Sequence, residues 1–270
     1  MSLAGVRVLV TGGAGFIGSH LVDALVGVGA RVKVLDNLSG GRLENLASSR
    51  SALEFIEGDI RDGRACAAAC EGTQVVFHQA ALGSVPRSLA EPATSIAVNV
   101  GGTANVFAAA RDAGVRRIVY ASSSSVYGDS AILPKQEGQE GLPLSPYALS
   151  KKMNEELADV FGRSYGLEFI GLRYFNVYGP RQDPNGPYAA VIPRFFSANI
   201  KGEPAVIYGD GEQSRDFTFV ADAVRANLFA AVADRRASGA AYNVGGGART
   251  TDLPSTQPKA RVDPYLLPRA

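Results

Sequence analysis

Apolar residues along this chain gather in short β-rich runs that alternate with longer stretches of helical period. Val6–Thr11 (VRVLVT) is one such run, followed by Gly12, Gly13, Gly15 and Gly18 and then by a helical stretch, HLVDALVGVG. Arg31–Asp36 is β-rich and ends in a carboxylate. Leu53–Glu57 and Gln74–His78 read as two further strands, with a short helix around Arg64–Cys70 between them. Pro92–Ala113 predicts a long helix, Arg116–Ala121 a strand, Ser145–Tyr165 a helix and Glu168–Arg173 another strand. Parallel neighbours need a crossover, and a helix supplies it. The alternation therefore predicts an α/β fold: a Rossmann-type, doubly wound parallel sheet covered by helices on both faces. After about Asn176 the rhythm loosens into loops, a helix near Ala189–Asn199, short strands near Ala205–Ile207 and Phe217–Phe219, and a helix at Val220–Ala233. The expected organisation is a sheet domain over residues 1–175, an interleaved and partial smaller lobe over 176–251, and a proline-rich tail over 252–270. Ligands of open α/β sheets bind in the crevice at the C-terminal ends of the strands, which this lobe would cover.

Composition narrows the function classes. With 27 Lys+Arg against 26 Asp+Glu in 270 residues the net charge is +1, so no electrostatic case exists for nucleic acid or an anionic membrane surface. Hydrophobic residues at 46% suffice for a sizeable core and exclude disorder. No apolar stretch approaches the ~20 residues of a membrane span, and the start, MSLAGVRVLV, lacks a signal-peptide layout. Cys66 and Cys70 stand four apart in RACAAACEG, without a His or further Cys at ligand spacing. They read as small helix-face residues, no metal site is expected, and a reducing cytoplasm is the expected compartment.

The first chemical motif is Thr11-Gly12-Gly13-Ala14-Gly15-Phe16-Ile17-Gly18, which follows a strand and opens a helix. Gly12 permits the tight turn, Gly15 lets backbone approach a pyrophosphate, and Gly18 allows close helix–strand packing. The helix N-terminus offers free N–H groups to the phosphates. Eighteen residues on, Asp36 ends the second strand. A carboxylate there accepts from both adenosine ribose hydroxyls and repels a 2′-phosphate, which favours NAD over NADP; the alternative for Asp36 is a cap of the turn that contains Asn37 and Ser39. Asp59 and Ile60, after the third strand, are placed to touch adenine. Gln79-Ala80-Ala81, after the fourth, leaves room for a cofactor.

The second motif is Tyr147-Ala-Leu-Ser-Lys151. Tyr and Lys at i and i+4 share one helix face, and a nearby ammonium together with a cationic nicotinamide favours the phenolate of a Tyr whose ordinary pKa is near 10. The strand Arg116–Ala121 delivers Ser122, Ser123, Ser124 and Ser125, where a hydroxyl can share a substrate oxygen with the tyrosine.

These residues resemble those of extended short-chain dehydrogenases/reductases of the nucleotide-sugar epimerase group. The matching segments are TGGAGFIGSHL, LDNLSGG, GDIRD, HQAALGSVPRS, YASSSSVYGD, PLSPYALSKKMNE, LRYFNVYGPRQDPNGPYAAVIPRF and GDGEQSRDFTFVAD, in family order from about Leu3 to Thr251. HQAALGSVPRS and QDPNGPYAAVIP are most similar to bacterial UDP-N-acetylglucosamine 4-epimerases. The resemblance implies that Ser123, Tyr147 and Lys151 are catalytic. It implies that Gly12, Gly15, Phe16, Ile17, Gly18, Asp36, Asn37, Asp59, Ile60, Gln79, Tyr147 and Lys151 bind NAD. It implies that Asn176 and Arg215 hold the sugar diphosphate, that Ala190 and Val191 give backbone contacts to the nucleotide, and that Tyr208 packs on uracil. Ser84, Ser124 and Ser125 would lie near the hexose, and a homodimer would form through the Pro92–Ala113 and Ser145–Tyr165 helices.

The implied reaction is redox-neutral 4-epimerisation of a UDP-hexose, UDP-GlcNAc/UDP-GalNAc first, with UDP-glucose or an N-acetylhexosaminuronic acid derivative as the related choices. Tyr147 removes the 4-hydroxyl proton while hydride passes from C4 to NAD; the 4-keto sugar turns and takes the hydride back on its other face. A nucleotide-sugar 4,6-dehydratase shares most of these motifs but carries an Asp-Glu pair after the catalytic hydroxyl residue, where this chain has Ser124 and Ser125. A cofactor-binding protein with little or no turnover is the third reading. It is motivated by the end of the chain, TDLPSTQPKARVDPYLLPRA, where Pro254, Pro258, Pro264 and Pro268 break any helix. The family's Arg-x-Gly-Asp stretch is not found there. A premature end or frame change near Thr251 is the expectation, with the NAD-binding part folding and activity reduced or absent.

Overall fold

The computed structural model describes residues 2–184, 189–208, 213–251 and 260–263. Seven parallel strands form its main sheet: β1 (Arg7–Thr11), β2 (Arg31–Asp36), β3 (Leu53–Glu57), β4 (Val75–His78), β5 (Arg117–Ser123), β6 (Glu168–Tyr174) and β7 (Ala240–Val244). Their spatial order is β7-β6-β5-β4-β1-β2-β3. The winding reverses between β1 and β4, and such a switch point leaves a crevice at the strands' C-terminal ends. The doubly wound sheet is the one the alternation predicts.

Period-two alternation splits the core. Val8, Val10, Val34, Phe77, Val119 and Ile170 face one layer of helices, α1 (Phe16–Gly27) and α6 (Val220–Val232). Leu9, Leu35, Val76, Ile118 and Phe169 face the other, α2 (Gly63–Cys70), α3 (Thr103–Asp112) and α4 (Pro146–Tyr165). Cys66 and Cys70 are buried and unpaired on α2, and burial raises both thiols, to about 11 and about 12. Both are inert helix-face residues of the core.

One expectation gains detail and one needs correction. The long helix over Pro92–Ala113 is present as an unbroken helical run, Pro92–Ile96, a widened π-helical turn over Ala97–Gly102, and α3. The turn accompanies a polar demand. Buried Asn99 accepts from Leu82 N at 2.7 Å, donates to Leu82 O at 3.1 Å and donates to Ser150 Oγ on α4 at 3.1 Å, contacts a regular helical repeat would aim elsewhere. Residues 220–244, expected in the smaller lobe, instead supply α6 and edge strand β7 to the main sheet. Arg117 of β5 ties them in. It is buried, paired with Glu168 at 2.7 Å through Nε, and donates from Nη1 to the carbonyls of Ala230, Ala231 and Ala233 at the C-terminal end of α6.

The remaining lobe is built from α5 (Val191–Lys201) and three strand pairs: Val177–Tyr178 with Thr218–Phe219, Ser214–Arg215 with Thr250–Thr251, and Ala205–Tyr208 with Ala260–Asp263. Most of the expected proline-rich tail, 252–259 and 264–270, lies outside the described residues. Among the described residues no helix is long and apolar enough to cross a membrane, and no group of three or more His, Cys, Asp or Glu is placed to hold a metal ion.

Candidate active site

A cleft of about 1150 Å³ runs over the C-terminal ends of β1, β2, β4 and β5. Gly12, Gly15, Phe16, Ile17 and Gly18 line one part of it. Gly12 has φ +69° and lies so close to β4 that a Cβ there would stand 2.7 Å from the Ala80 backbone; at Gly18 a Cβ would run into the Gly12 carbonyl. Only glycine fits either place. The first turn of α1 has no side-chain cap, so its N–H groups face the cleft free to meet an anion.

Asp36, 7% exposed, borders the same part of the cleft. Its Oδ2 accepts from Ala14 N at 2.9 Å and its Oδ1 from Leu38 N at 2.8 Å. The carboxylate thus braces the glycine turn and caps its own loop, the alternative sequence reading, while keeping lone pairs for a ribose. Burial raises its pKa and these two bonds oppose the rise. Asn37 donates to Asp59 Oδ2 at 2.8 Å, and Asp59 is forked by Arg61, which holds its carboxyl well below the usual range. Asn37, Asp59 and Ile60 all line the cleft.

Gln79 also lines it, but its amide is engaged: Nε2 donates to Asn227 Oδ1 at 3.1 Å and Oε1 accepts from Tyr174 OH at 3.1 Å. Asn227 Nδ2 closes the ring by donating to Tyr174 OH at 2.7 Å. Behind it, His78 is buried between two hydroxyls. Thr103 Oγ1 gives its proton to Asn99 O at 2.5 Å, so it accepts from His78 Nε2 at 2.9 Å; His78 Nδ1 then accepts from Thr11 Oγ1 at 2.7 Å. Burial, helped by the Lys151 charge, pushes the ring down to about 3, so it is a neutral spacer.

At the other part of the cleft Ser145 caps α4, its Oγ accepting from Ala148 N at 3.1 Å, with Pro146 in the first turn. That start sets Tyr147 and Lys151 on the face toward β5. Lys151 is 3% exposed; its Nζ donates to Ala121 O at 2.8 Å and lies 6.0 Å from the Tyr147 ring centre. Burial pulls its pKa down to about 8. Tyr147 is raised above its ordinary value by burial, with the Ser123 hydroxyl beside it working in the opposite direction. The lowered phenol expected from Tyr-x-x-x-Lys spacing is therefore not produced by the protein's own groups. Ser123 Oγ in turn accepts from Ser125 N at 3.2 Å and Ser125 Oγ at 2.9 Å.

Ser84, Ser124, Ser125, Asn176 and Arg215 line the same cleft. Asn176, at φ +33°, donates to Asp216 O at 2.9 Å, and exposed Arg215 rests on Ser214 O and Gln213 Oε1 at 3.0 Å each. Ala190 and Val191, at the start of α5, are not among the described residues that line the cleft, and the Tyr208 side chain lies outside what is described, its backbone forming the Ala205–Tyr208 strand. The sequence by itself assigns no role to Thr11, Asn99, Tyr174, Glu155 or Asn227. Each looks like an ordinary strand or helix residue until the partner, tens of residues distant, is in place.

Residues 8–245 match the family model described as the NAD dependent epimerase/dehydratase family. UDP-glucose 4-epimerase of Mycolicibacterium smegmatis is 43% identical over 249 residues, 91% of this chain and 79% of that protein. The chain is similar in structure to the UDP-N-acetylglucosamine 4-epimerase of Methanobrevibacter ruminantium in complex with UDP-N-acetylmuramic acid (TM-score 0.87, 44% identity, 92% of this chain and 79% of that one). It is also similar to the dTDP-glucose 4,6-dehydratase of Streptomyces venezuelae with NAD bound (TM-score 0.85, 37% identity, 92% and 78%).

Proposed function

Because the chain belongs to the NAD dependent epimerase/dehydratase family, we propose that it is a UDP-hexose 4-epimerase acting on UDP-GlcNAc and UDP-GalNAc. One observation carries the reading. A single cleft holds the glycine turn and Asp36 together with Ser123, Tyr147 and Lys151, and the two residues after Ser123 are hydroxyls rather than carboxyls.

The residues fit NAD: the turn at Gly12 and Gly18 admits no side chain, the first turn of α1 is uncapped, and Asp36 faces the cleft. Gly12, Gly15, Phe16, Ile17 and Gly18 would hold its diphosphate, Asp36 a ribose, and Asn37, Asp59 and Ile60 the adenine side. When bound, NAD supplies reversible two-electron oxidation of the sugar carbinol and a positive charge near the phenol. Tyr147 takes the proton of the 4-hydroxyl and later returns it. The added charge is needed because burial alone holds the phenol protonated. Ser123 bonds the same sugar oxygen, and Lys151, fixed on Ala121 O, holds Tyr147's helix face against β5. Arg215 and Asn176 would hold the sugar diphosphate, a role supported by their position in the cleft lining and by a planar guanidinium that suits paired phosphate contacts.

Elimination of water by a dehydratase needs an added acid and base, and Ser124 and Ser125 cannot ionise near neutrality. The N-acetylated substrate is supported by the likeness to a UDP-N-acetylglucosamine 4-epimerase. A homodimer is supported by exposed Leu149 and Val160 on α4, and a cytoplasmic setting by unpaired Cys66 and Cys70. The test is incubation of the purified chain with UDP-GlcNAc, UDP-glucose and UDP-GlcNAcA separately, resolving epimers, with Tyr147→Phe as control. Epimers from UDP-GlcNAc support the proposal. A 4-keto-6-deoxy product indicates a dehydratase, and bound NAD without turnover a cofactor binder.

A further inference from the structure

Glu155 takes no part in the mechanism above, yet it completes a regular pattern on α4. Tyr147, Lys151 and Glu155 follow at intervals of four, so they stand along one side of the helix. Each meets the end of β5. Tyr147 has the Ser123 hydroxyl beside it, Lys151 Nζ reaches the Ala121 carbonyl, and Glu155 Oε1 accepts from Ser122 Oγ at 2.6 Å. A carboxylate only accepts, so the Ser122 proton is committed to this bond.

Glu155 is held in its turn from the neighbouring strand. Arg173 of β6 is in register with Ser122. Its Nε donates to Glu155 Oε1 at 2.9 Å and its Nη2 to Oε2 at 2.8 Å, a two-pronged pair with side chains only 6% and 9% exposed. The remaining guanidinium nitrogen, Nη1, bonds Glu140 and the Tyr127 hydroxyl. Helix α4 and strands β5 and β6 therefore converge on one carboxylate, one residue away from Ser123.

We propose that Glu155 is a positioning residue: by gripping Ser122 against Arg173 it fixes the direction in which Ser123, the next residue, presents its hydroxyl to Tyr147 and to the sugar oxygen. The inference rests on the 4-epimerase reading of the site. Ser123 is anchored on its other side by Ser125, whose N–H and hydroxyl both bond its oxygen. Its aim thus depends on one anchor before it and one after it in the chain.

The test compares NAD-loaded wild type, Glu155→Ala, Glu155→Gln and Ser122→Ala on the UDP-hexose that wild type converts. Misplacement of a reacting group by about 1 Å lowers rate about a hundredfold. Glu155→Ala is therefore expected to lose tenfold to a hundredfold in kcat, roughly in that range, with KM and bound NAD per chain close to wild type. Ser122→Ala, which leaves the buried ion pair intact, should lose kcat in the same direction by several-fold. Glu155→Gln keeps an amide oxygen for Ser122 and should restore most of the lost kcat. Its Tm should stay below wild type, because its NH₂ faces the Arg173 guanidinium. Crystal structures of the variants read the same point without turnover: Ser123 Oγ is displaced in Glu155→Ala and Ser122→Ala and in place in Glu155→Gln. Unchanged kcat and Ser123 position in Glu155→Ala, or equal loss of kcat in the Ala and Gln variants, overturns the proposal. A wild type that converts no UDP-hexose sinks the epimerase reading instead, and the crystallographic comparison still decides the positioning role.

Discussion

Replacing Lys151 by methionine should make this protein more stable at neutral pH while disabling it. Lys151 is 3% exposed, and burial lowers its pKa from 10.5 to about 8. At pH 7 the folded chain therefore carries a charged ammonium in a place that disfavours it. The difference between the two pKa values corresponds to about 3 kcal/mol of lost stability. Methionine removes that charge but leaves Ala121 O without the bond it receives at 2.8 Å, which costs about 1–2 kcal/mol. The net expectation is a gain of about 1–2 kcal/mol at pH 7, or several degrees in Tm. Between pH 8 and 10.5 the unfolded wild type holds a proton that the folded chain has shed, so wild-type stability rises with pH across that window. The advantage of the variant should shrink through it and reverse above it, where only the unpaired carbonyl remains. Equilibrium urea unfolding of both proteins at pH 7, 8, 9 and 10, without sugar nucleotide, measures this directly, and epimerisation should fall at least about a hundredfold. A variant less stable than wild type at pH 7, or a gap that does not change between pH 7 and 10, would refute the reasoning.

Three further outcomes follow from buried groups. His78 is pulled down to about 3 by burial, so from pH 6.5 downward the unfolded chain takes up a proton that the folded chain refuses. Wild type should lose about 1.4 kcal/mol per pH unit from this group as pH falls from 6 to 4, and His78→Gln should show a correspondingly shallower loss in urea midpoints. Gly12→Ala places a Cβ at φ +69° and 2.7 Å from the Ala80 backbone, and the purified variant should carry no NAD by chromatography of its released nucleotides. Arg117→Met leaves Glu168 only the longer, exposed pairs with Arg116 at 3.7 Å and Arg235 at 3.9 Å and strands the Ala230, Ala231 and Ala233 carbonyls; a loss of about 3 kcal/mol, roughly 10 °C in Tm, is expected by calorimetry.

Much of the fold and of the cofactor side was legible because it is local. A strand, a tight turn and a helix N-terminus occupy consecutive residues, so the spacing of Gly12, Gly15 and Gly18 already contains the geometry of the turn. Tyr147 and Lys151 share a face because a helix repeats every 3.6 residues. The strands of the first half show in the sequence as short apolar runs, because both faces of the sheet are covered, and Leu53–Glu57 begins and ends where the pattern places it. Edge strand β7 carries no such signal: it is five residues, one of them Asn243, and among the described residues it pairs only with β6.

What each site residue is free to do was decided by contacts between residues far apart in the chain. Asp36 is part of the cleft wall and also the brace of Ala14 and Leu38; Gln79 lines the cleft with its amide already taken by Tyr174 and Asn227. The Tyr147–Lys151 spacing suggests an activated phenol, whereas burial of the pair raises Tyr147 and lowers Lys151. By itself, the order of residues determined which chemical groups this protein has and which of them share a turn or a helix face. Tertiary structure alone decided which are dry, which are already bonded and which remain open to a ligand, because desolvation and hydrogen bonding depend on neighbours in space rather than in sequence.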